Sequence, residues 1–353
     1  MIAKRRFAVV DVRDLAHLPG PGTDRAEWSV LTRPEPLLLI LDDRPDDATV
    51  ASAAARLRTM PTVVVLVADP DQVPAALLDA VDLALTDADD PPTPWVRGPA
   101  AAIEKAVAAQ PRAALALAAL LRTSAALPVW EAVVAEASTY GMLLRSRAHL
   151  DWLATRVGRS VPVRADGPCV VSTRSDRGLL VELDRPEVHN AVDTALRDQL
   201  VDALGVAAAD PSIPSVDLRG RGPSFSSGGD LHEFGSVADG ATAFAVRLAR
   251  HPGLAVHGVA ERTTVHLHGA CIGAGIELAA FAGRVVADPG IEVRLPEVAM
   301  GLLPGAGGTA SITRRIGRQR CAWLALTGHP IHADAALAWN LIDAIEPRAD
   351  WPA

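Results

Sequence analysis

Apolar positions along this chain fall into two kinds of run. PLLLILDD (36–43) and PTVVVLVAD (61–69) are short, continuous and bounded by Pro and Asp, the pattern of strands buried on both faces. DDATVASAAARLRTM between them has helical spacing with an acidic start, and VDLALTDADDPPTP (81–94) predicts a further strand and a Pro/Asp break. Residues 1–100 therefore read as α/β. From Ala100 to about Arg156 the period turns helical. AAAIEKAVAAQPRAALALAALLR predicts two helices hinged at Pro111, and VWEAVVAEASTYGMLLRSRAHLDWLATR a long amphipathic pair whose Glu131, Glu136, Arg145 and Arg147 are assigned to a solvated face. The polar stretch 156–168, with Gly and Pro, marks the main boundary.

The second half opens with two strands about the polar turn RSDRG, then a helix over DTALRDQLVDALGVAAAD. IPSVDLRG predicts a strand that enters the turn GRGPSFSSGGDLHEF. Segment 236–265 is the least readable: a helical run ends at His251–Pro252–Gly253, and LAVHGVAERTT gives no element. Beyond it, 266–309 goes strand, glycine turn, helix, strand, proline-led turn and second glycine turn.

Composition removes several functions. The net charge of −8, with Lys4 and Lys105 the only lysines, argues against nucleic acid as the main partner and leaves phosphate groups to arginines and backbone amides. No run is apolar enough to span a membrane, and FAVV near the N-terminus is too short for a signal peptide, which points to a cytoplasmic protein. Cys169, Cys271 and Cys321 are far apart and odd in number, so they read as buried thiols. His251, His257, His266 and His268 lack a third ligand in register, and no metal is expected. The acidic clusters Asp42–Asp43 and Asp87 to Asp90 read as solvated turns.

Chemistry concentrates after residue 222. In GACIGAG (269–275) small residues precede the helix IELAAFAG, so a ligand can approach the main chain beside unpaired helix-start N–H groups, as at an anion or oxyanion site. A dinucleotide turn would need a third glycine where Leu278 stands. PSFSSGGDL (223–231) is a second such turn; its Ser226 and Ser227 lack a G-x-S-x-G elbow and read as structural. Glu277 and Glu297 lie among apolar residues, where burial raises a carboxyl pKa toward the range useful for proton transfer. Either one alone is equally well a helix-start or turn carboxylate; two beside two oxyanion-type turns form a more specific arrangement.

These residues resemble the crotonase (enoyl-CoA hydratase/isomerase) superfamily over roughly Cys169 to Glu346. FSSGGDLHEF is similar to that family's F-S-A-G-x-D turn, CIGAGIELA to G-G-G-x-E-L-A, and RPEVHNAV to R-P-x-x-x-N-A. LPEVAMGLLPGAGGTASITRRIG and TGHPIHADAALAWNLIDAI continue the match. The resemblance implies an α/β fold, a crotonase-like spiral of ββα units. It puts an oxyanion hole on the backbone N–H groups of Ser227 and Ala274 and the hydratase glutamates on Glu277 and Glu297. Substrate or coenzyme A contacts fall on Asn190, Ala191, Phe225, Gly228, Gly229, Asp230, Gly273 and Gly305. It implies reversible syn addition of water to a 2-enoyl-CoA thioester, with coenzyme A only as part of the substrate, no permanently bound cofactor, and a homo-oligomer such as a trimer. Isomerisation through Glu297 alone and a non-catalytic acyl-CoA-binding subunit are the alternatives. Residues 165–353 would be a catalytic core without the usual C-terminal helices. Residues 1–160 would be a degenerate copy, an eroded core over 1–99 with helices over 100–160; TMPTVVVLV and AVDLALTDA parallel TTVHLHG and FAGRVVAD.

Overall fold

The computed structural model describes residues 8–17, 26–41, 45–157, 167–237 and 239–351. Asp42, Asp43 and positions 158–166 of the boundary stretch lie outside the described residues. The first half begins with strands β1 (Ala8–Asp11), β2 (Leu37–Ile40), β3 (Val64–Val67), β4 (Leu83–Thr86) and β5 (Val96–Arg97), which form one parallel sheet in sequence order. Helices α1 (Val12–His17), α2 (Asp47–Leu57) and α3 (Ala75–Leu78) connect the strands up to β4. On β3 and the residue before it, Val63 and Val65 face one core while Val64 and Leu66 face another, which is why this strand is apolar at every position. Asp46 caps α2 by accepting from the Thr49 N–H at 2.8 Å.

Four helices follow: α4 (Ala100–Ala109), α5 (Pro111–Ser124), α6 (Val129–Leu143) and α7 (Arg147–Ala154). Pro111 opens α5, where its missing N–H costs nothing, so the hinge falls where the sequence predicts it.

The second half is wound differently. Its large sheet runs β13-β11-β9-β8-β7-β6, built from β6 (Val170–Ser175), β7 (Gly178–Leu183), β8 (Val216–Gly220), β9 (Thr263–Leu267), β11 (Arg284–Ala287) and β13 (Ala344–Ile345). Only the β6–β7 hairpin is antiparallel. Each winding also contributes a second, short extended piece. β10 (Ala270–Ile272) pairs with β12 (Glu292–Arg294), Ser226 bridges to Cys271, and Ile331 bridges to Val293. Helices α8 (Thr194–Ala209), α9 (Gly240–Ala249), α10 (Pro252–Gly258), α11 (Ala274–Ala279), α12 (Gly308–Ile316), α13 (Arg318–Thr327) and α14 (Ala333–Ala338) complete the windings. The described residues of this half form a spiral of ββα units, the expected fold class. The unassigned stretch LAVHGVAERTT (254–264) is most of α10 (Pro252–Gly258), a single 3-10 turn and the start of β9.

One hydrophobic core runs unbroken from a face of the first sheet (Val65, Leu85) through α4–α6 (Ile103, Leu117, Val133) into the second half (Leu278, Ile312, Leu324). Polar stitching follows the same route. The buried Asp82 takes Arg122 Nε at 2.7 Å, and Arg318 donates to the carbonyls of Asp79 and Val81 at 2.6 and 2.9 Å. Among the described residues no helix is long and apolar enough to cross a membrane.

Candidate active site

Two glycine turns meet because the 225–228 turn pairs with β10. The Ser226 N–H donates to Ala270 O at 3.1 Å and the Ile272 N–H to Ser226 O at 3.0 Å. Ala274, first residue of α11, therefore stands beside Gly228, and its N–H has no partner inside the helix, as at any helix start. Glu277 lies one turn on. Its Oε2 accepts from the amides of Ala306 and Gly308 at 2.7 and 2.9 Å. Glu297 begins a 3-10 turn after Pro296 and is buried; its Oε2 accepts no hydrogen bond among the described residues. Both Oε1 atoms converge over Gly273: a β-carbon there would sit 2.3 Å from Glu297 Oε1 and 4.0 Å from Glu277 Oε1. The backbone of Gly273, at φ +48°, is also one that side-chain-bearing residues rarely adopt.

Burial sets the proton affinities. It pushes Glu277 up to about 7, against its two amide donors and the Arg247 guanidinium, which favour the anion. Glu297 is raised well above the ordinary carboxylate range, by burial first and then by the charge of Glu277. Glu277 is thus anchored by amide donors, whereas Glu297 Oε2 has no partner among the described residues, so ionisation is opposed less at Glu277 than at Glu297.

The first half of the chain supplies much of the wall. A cavity of about 530 Å³, within the range of small-molecule sites, is lined by Tyr140, Leu144 and Leu153 from α6, its C-terminal end and α7. Val246, Arg247 and Pro252 of the α9–α10 stretch face them beside Ala274, Glu277 and Glu297. Arg247 lies 3.6 Å over the Tyr140 ring and donates to Gly305 O at 3.1 Å. A β-carbon at Gly305 would sit 2.2 Å from the same ring, so only glycine fits under Tyr140.

Glu136 requires a correction. It is not on a solvated face; it is 1% exposed, accepting from the N–H groups of Gly307 and Thr309 and the Thr309 hydroxyl at 2.7, 2.9 and 2.7 Å. Its place in the stripe Ala132, Val133, Glu136, Ala137, Tyr140 was legible from spacing, because i, i+3 and i+4 positions share a helix face. Glu131, Arg145 and Arg147 are exposed as expected. Tyr140 and Arg247 carry no motif signal.

The other assigned residues divide. Gly229, Asp230 and Gly305 line the cavity with Ala274, Glu277 and Glu297. Asn190 and Phe225 are fully buried and do not line it. The Asn190 amide nitrogen donates to Arg221 O and Ser224 O at 2.9 Å each and its oxygen accepts from the Arg185 N–H at 2.8 Å, so it shapes the loop behind the turn. Ala191 follows that loop; Gly228 lies over Ile272 O and Gly273 under Glu297. The Ser227 N–H donates to His189 O at 2.9 Å, so of the two amides expected to form an oxyanion hole only that of Ala274 lacks a hydrogen-bond acceptor among the described residues. Ser226 is structural, its hydroxyl donating to Asn190 O at 2.8 Å. His266 pairs with Asp217 at 2.7 Å and His268 with Gly222 O at 3.0 Å, away from the cavity. All three cysteines are buried and free.

Residues 176–351 match the family model described as enoyl-CoA hydratase/isomerase. The chain is 33% identical over 178 residues to the 2,3-dehydroadipyl-CoA hydratase of Escherichia coli, covering 50% of this chain and 69% of that protein. It is 32% identical over 178 residues to the mevalonyl-coenzyme A hydratase of Beauveria bassiana, covering 48% of this chain and 64% of that one. The chain thus spans about two thirds of the length of these curated relatives. A solved enoyl-CoA hydratase from Thermoplasma volcanium is similar over 52% of this chain and 73% of that one, at 27% identity and a TM-score of 0.46.

Proposed function

The chain belongs to the enoyl-CoA hydratase/isomerase family, the crotonases, and from that membership we propose that it adds water reversibly to a 2-enoyl thioester of coenzyme A. The observation that carries this reading is the convergence over Gly273 of two buried carboxyls, Glu277 anchored by amides and Glu297 with its Oε2 unpartnered among the described residues, next to the N–H of Ala274 at the start of α11. The thioester oxygen takes the Ala274 N–H, at the positive end of α11, and draws the Ser227 N–H from His189 O as negative charge grows on it. Glu277 removes a proton from water as the water oxygen bonds C3. Glu297 gives its proton to C2 on the same face, and the proton gained by Glu277 returns to Glu297 before the next turnover. Both curated relatives named above are hydratases of coenzyme A thioesters, which supports hydration over isomerisation.

The sequential strand order of both large sheets, all-parallel in the first and parallel beyond the β6–β7 hairpin in the second, supports reading 1–99 as a degenerate copy that lost its second short strands. Helices α4–α7 then serve the neighbouring spiral.

The test is loss of enoyl absorbance on incubation with 2-enoyl-CoA thioesters of increasing chain length and an aromatic one. Formation of 3-hydroxyacyl-CoA is expected. Conversion of 3-enoyl-CoA to 2-enoyl-CoA without hydration would replace the reading with isomerisation, and binding without any turnover would replace it with a carrier role.

A further inference from the structure

The first four amides of the segment that opens α12 are shared between two carboxylates. Ala306 and Gly308 donate to Glu277 Oε2, and the alternating Gly307 and Thr309 donate to Glu136 Oε1 and Oε2. Glu136 comes from α6, in the first half of the chain, and holds the Thr309 hydroxyl as well. It does not line the cavity, so it touches no substrate. Four backbone donors, those of Ala306 and Gly307 before α12 and of Gly308 and Thr309 at its start, need acceptors, yet neutral side chains such as Ser or Asn would suffice for that. A second buried carboxylate beside Glu277 costs desolvation and repulsion that a cap alone does not require.

We infer that Glu136 is a positioning residue of the active site: by sharing the 306–309 amides with Glu277 it fixes that carboxylate and sets how readily it takes a proton. The inference rests on the reading of Glu277 as the group that activates water. Other titratable and charged groups facing the pair are Glu297 after β12, Arg247 on α9, Tyr140 on α6, His251 at the start of α10 and Cys321 on α13. Arg247 is the cation among them and favours the anion of Glu277. Burial, then the charge of Glu277, raises Glu136 to about 8, close to the value of about 7 for Glu277, so the two titrate as a pair.

The test follows the raised protonated-carboxyl band by infrared difference spectroscopy against pH in the full chain carrying Glu297→Gln, which removes the third raised carboxyl, and in that chain with Glu136→Gln or Glu277→Gln added. Coupling predicts that the upper step of the Glu297→Gln chain lies about one pH unit or more above the single step left when either further carboxyl is removed. Single steps that together reproduce the two original ones would overturn the inference, leaving Glu136 a helix cap. With crotonyl-CoA, Glu136→Gln is expected to lose kcat by about 10²-fold, the scale of a ~1 Å displacement, with KM little changed. A KM effect alone would also overturn it. If the unsubstituted chain hydrates no enoyl-CoA, the hydratase reading fails while the infrared comparison still decides the role of Glu136. Should Glu136→Gln not unfold cooperatively, Thr309→Val removes one donor to the Glu136 anion. It should move the upper step to higher pH, and an unmoved step counts against the inference.

Discussion

Glu297→Gln separates chemistry from architecture more sharply than any other substitution here. Glu297 is buried, its Oε2 accepts no hydrogen bond among the described residues, and its Oε1 packs against Gly273. The nearly isosteric Gln therefore breaks no hydrogen bond at the Oε2 position and leaves no cavity. What it loses is the exchangeable proton. A positioned general acid or base contributes about 10²–10⁴-fold, which at ~1.4 kcal/mol per decade is roughly 3–5 kcal/mol of barrier. Folding should move the other way. Burial and the charge of Glu277 both oppose ionisation of Glu297, so the neutral amide should leave stability unchanged or raise it above neutral pH. The assay pairs initial rates of crotonyl-CoA hydration with calorimetric binding of a saturated acyl-CoA and urea melts at pH 8. Expected is a rate at or below about 1% of the original, unchanged acyl-CoA affinity and an unchanged or higher urea midpoint. Turnover within about tenfold of the original would refute the role of Glu297, and collapse of binding or folding would refute the claim that it is structurally dispensable.

Further outcomes follow from the same geometry. Glu136, Glu277 and Glu297 all have folded-state pKa values above the ordinary 4.5, so the folded chain holds protons that the unfolded chain releases. Their contribution to stability is complete below about 4.5 and is lost as pH rises through about 7 to 8; urea midpoints should fall over that window, less steeply in Glu136→Gln. Gly305→Ala would force a methyl to 2.2 Å from the Tyr140 ring, at about 1–3 kcal/mol of overpacking, and should raise KM with the turn displaced; a normal urea midpoint and KM would show that α6 yields freely. Asp82→Ala strands the buried Arg122 guanidinium and should cost about 3–5 kcal/mol in a single transition shared by both halves, because their core is continuous. Separate melts of the two halves would contradict that.

Local chemistry explains what was legible. Apolar runs with no polar face marked strands buried on both sides, Pro111 marked the α4–α5 hinge, and the glycine turns marked where main chain comes close to main chain. Glu277 and Glu297 stood out because a carboxylate among apolar neighbours is costly unless it has work to do. Segment 254–264 was opaque because α10 is short, begins with Pro252 and Gly253, and has little periodicity to read. Glu136 was misassigned although its spacing put it on the buried stripe, since a charged residue on a long helix ordinarily faces water.

The sequence by itself determined the family, the spiral of the second half and the carboxylate pair, because each depends on residue types at fixed spacing along one stretch. Only the tertiary structure decided which amides are engaged, that Asn190 and Phe225 stand behind the site, and that α6 of the first half reaches the turn at 306–309. Glu136 and Thr309 are 173 positions apart, and no pattern along the chain encodes a contact made by folding one half onto the other. That contact is fixed by the continuous core, which seats α6 against α12 and leaves a buried carboxylate facing unpaired amides.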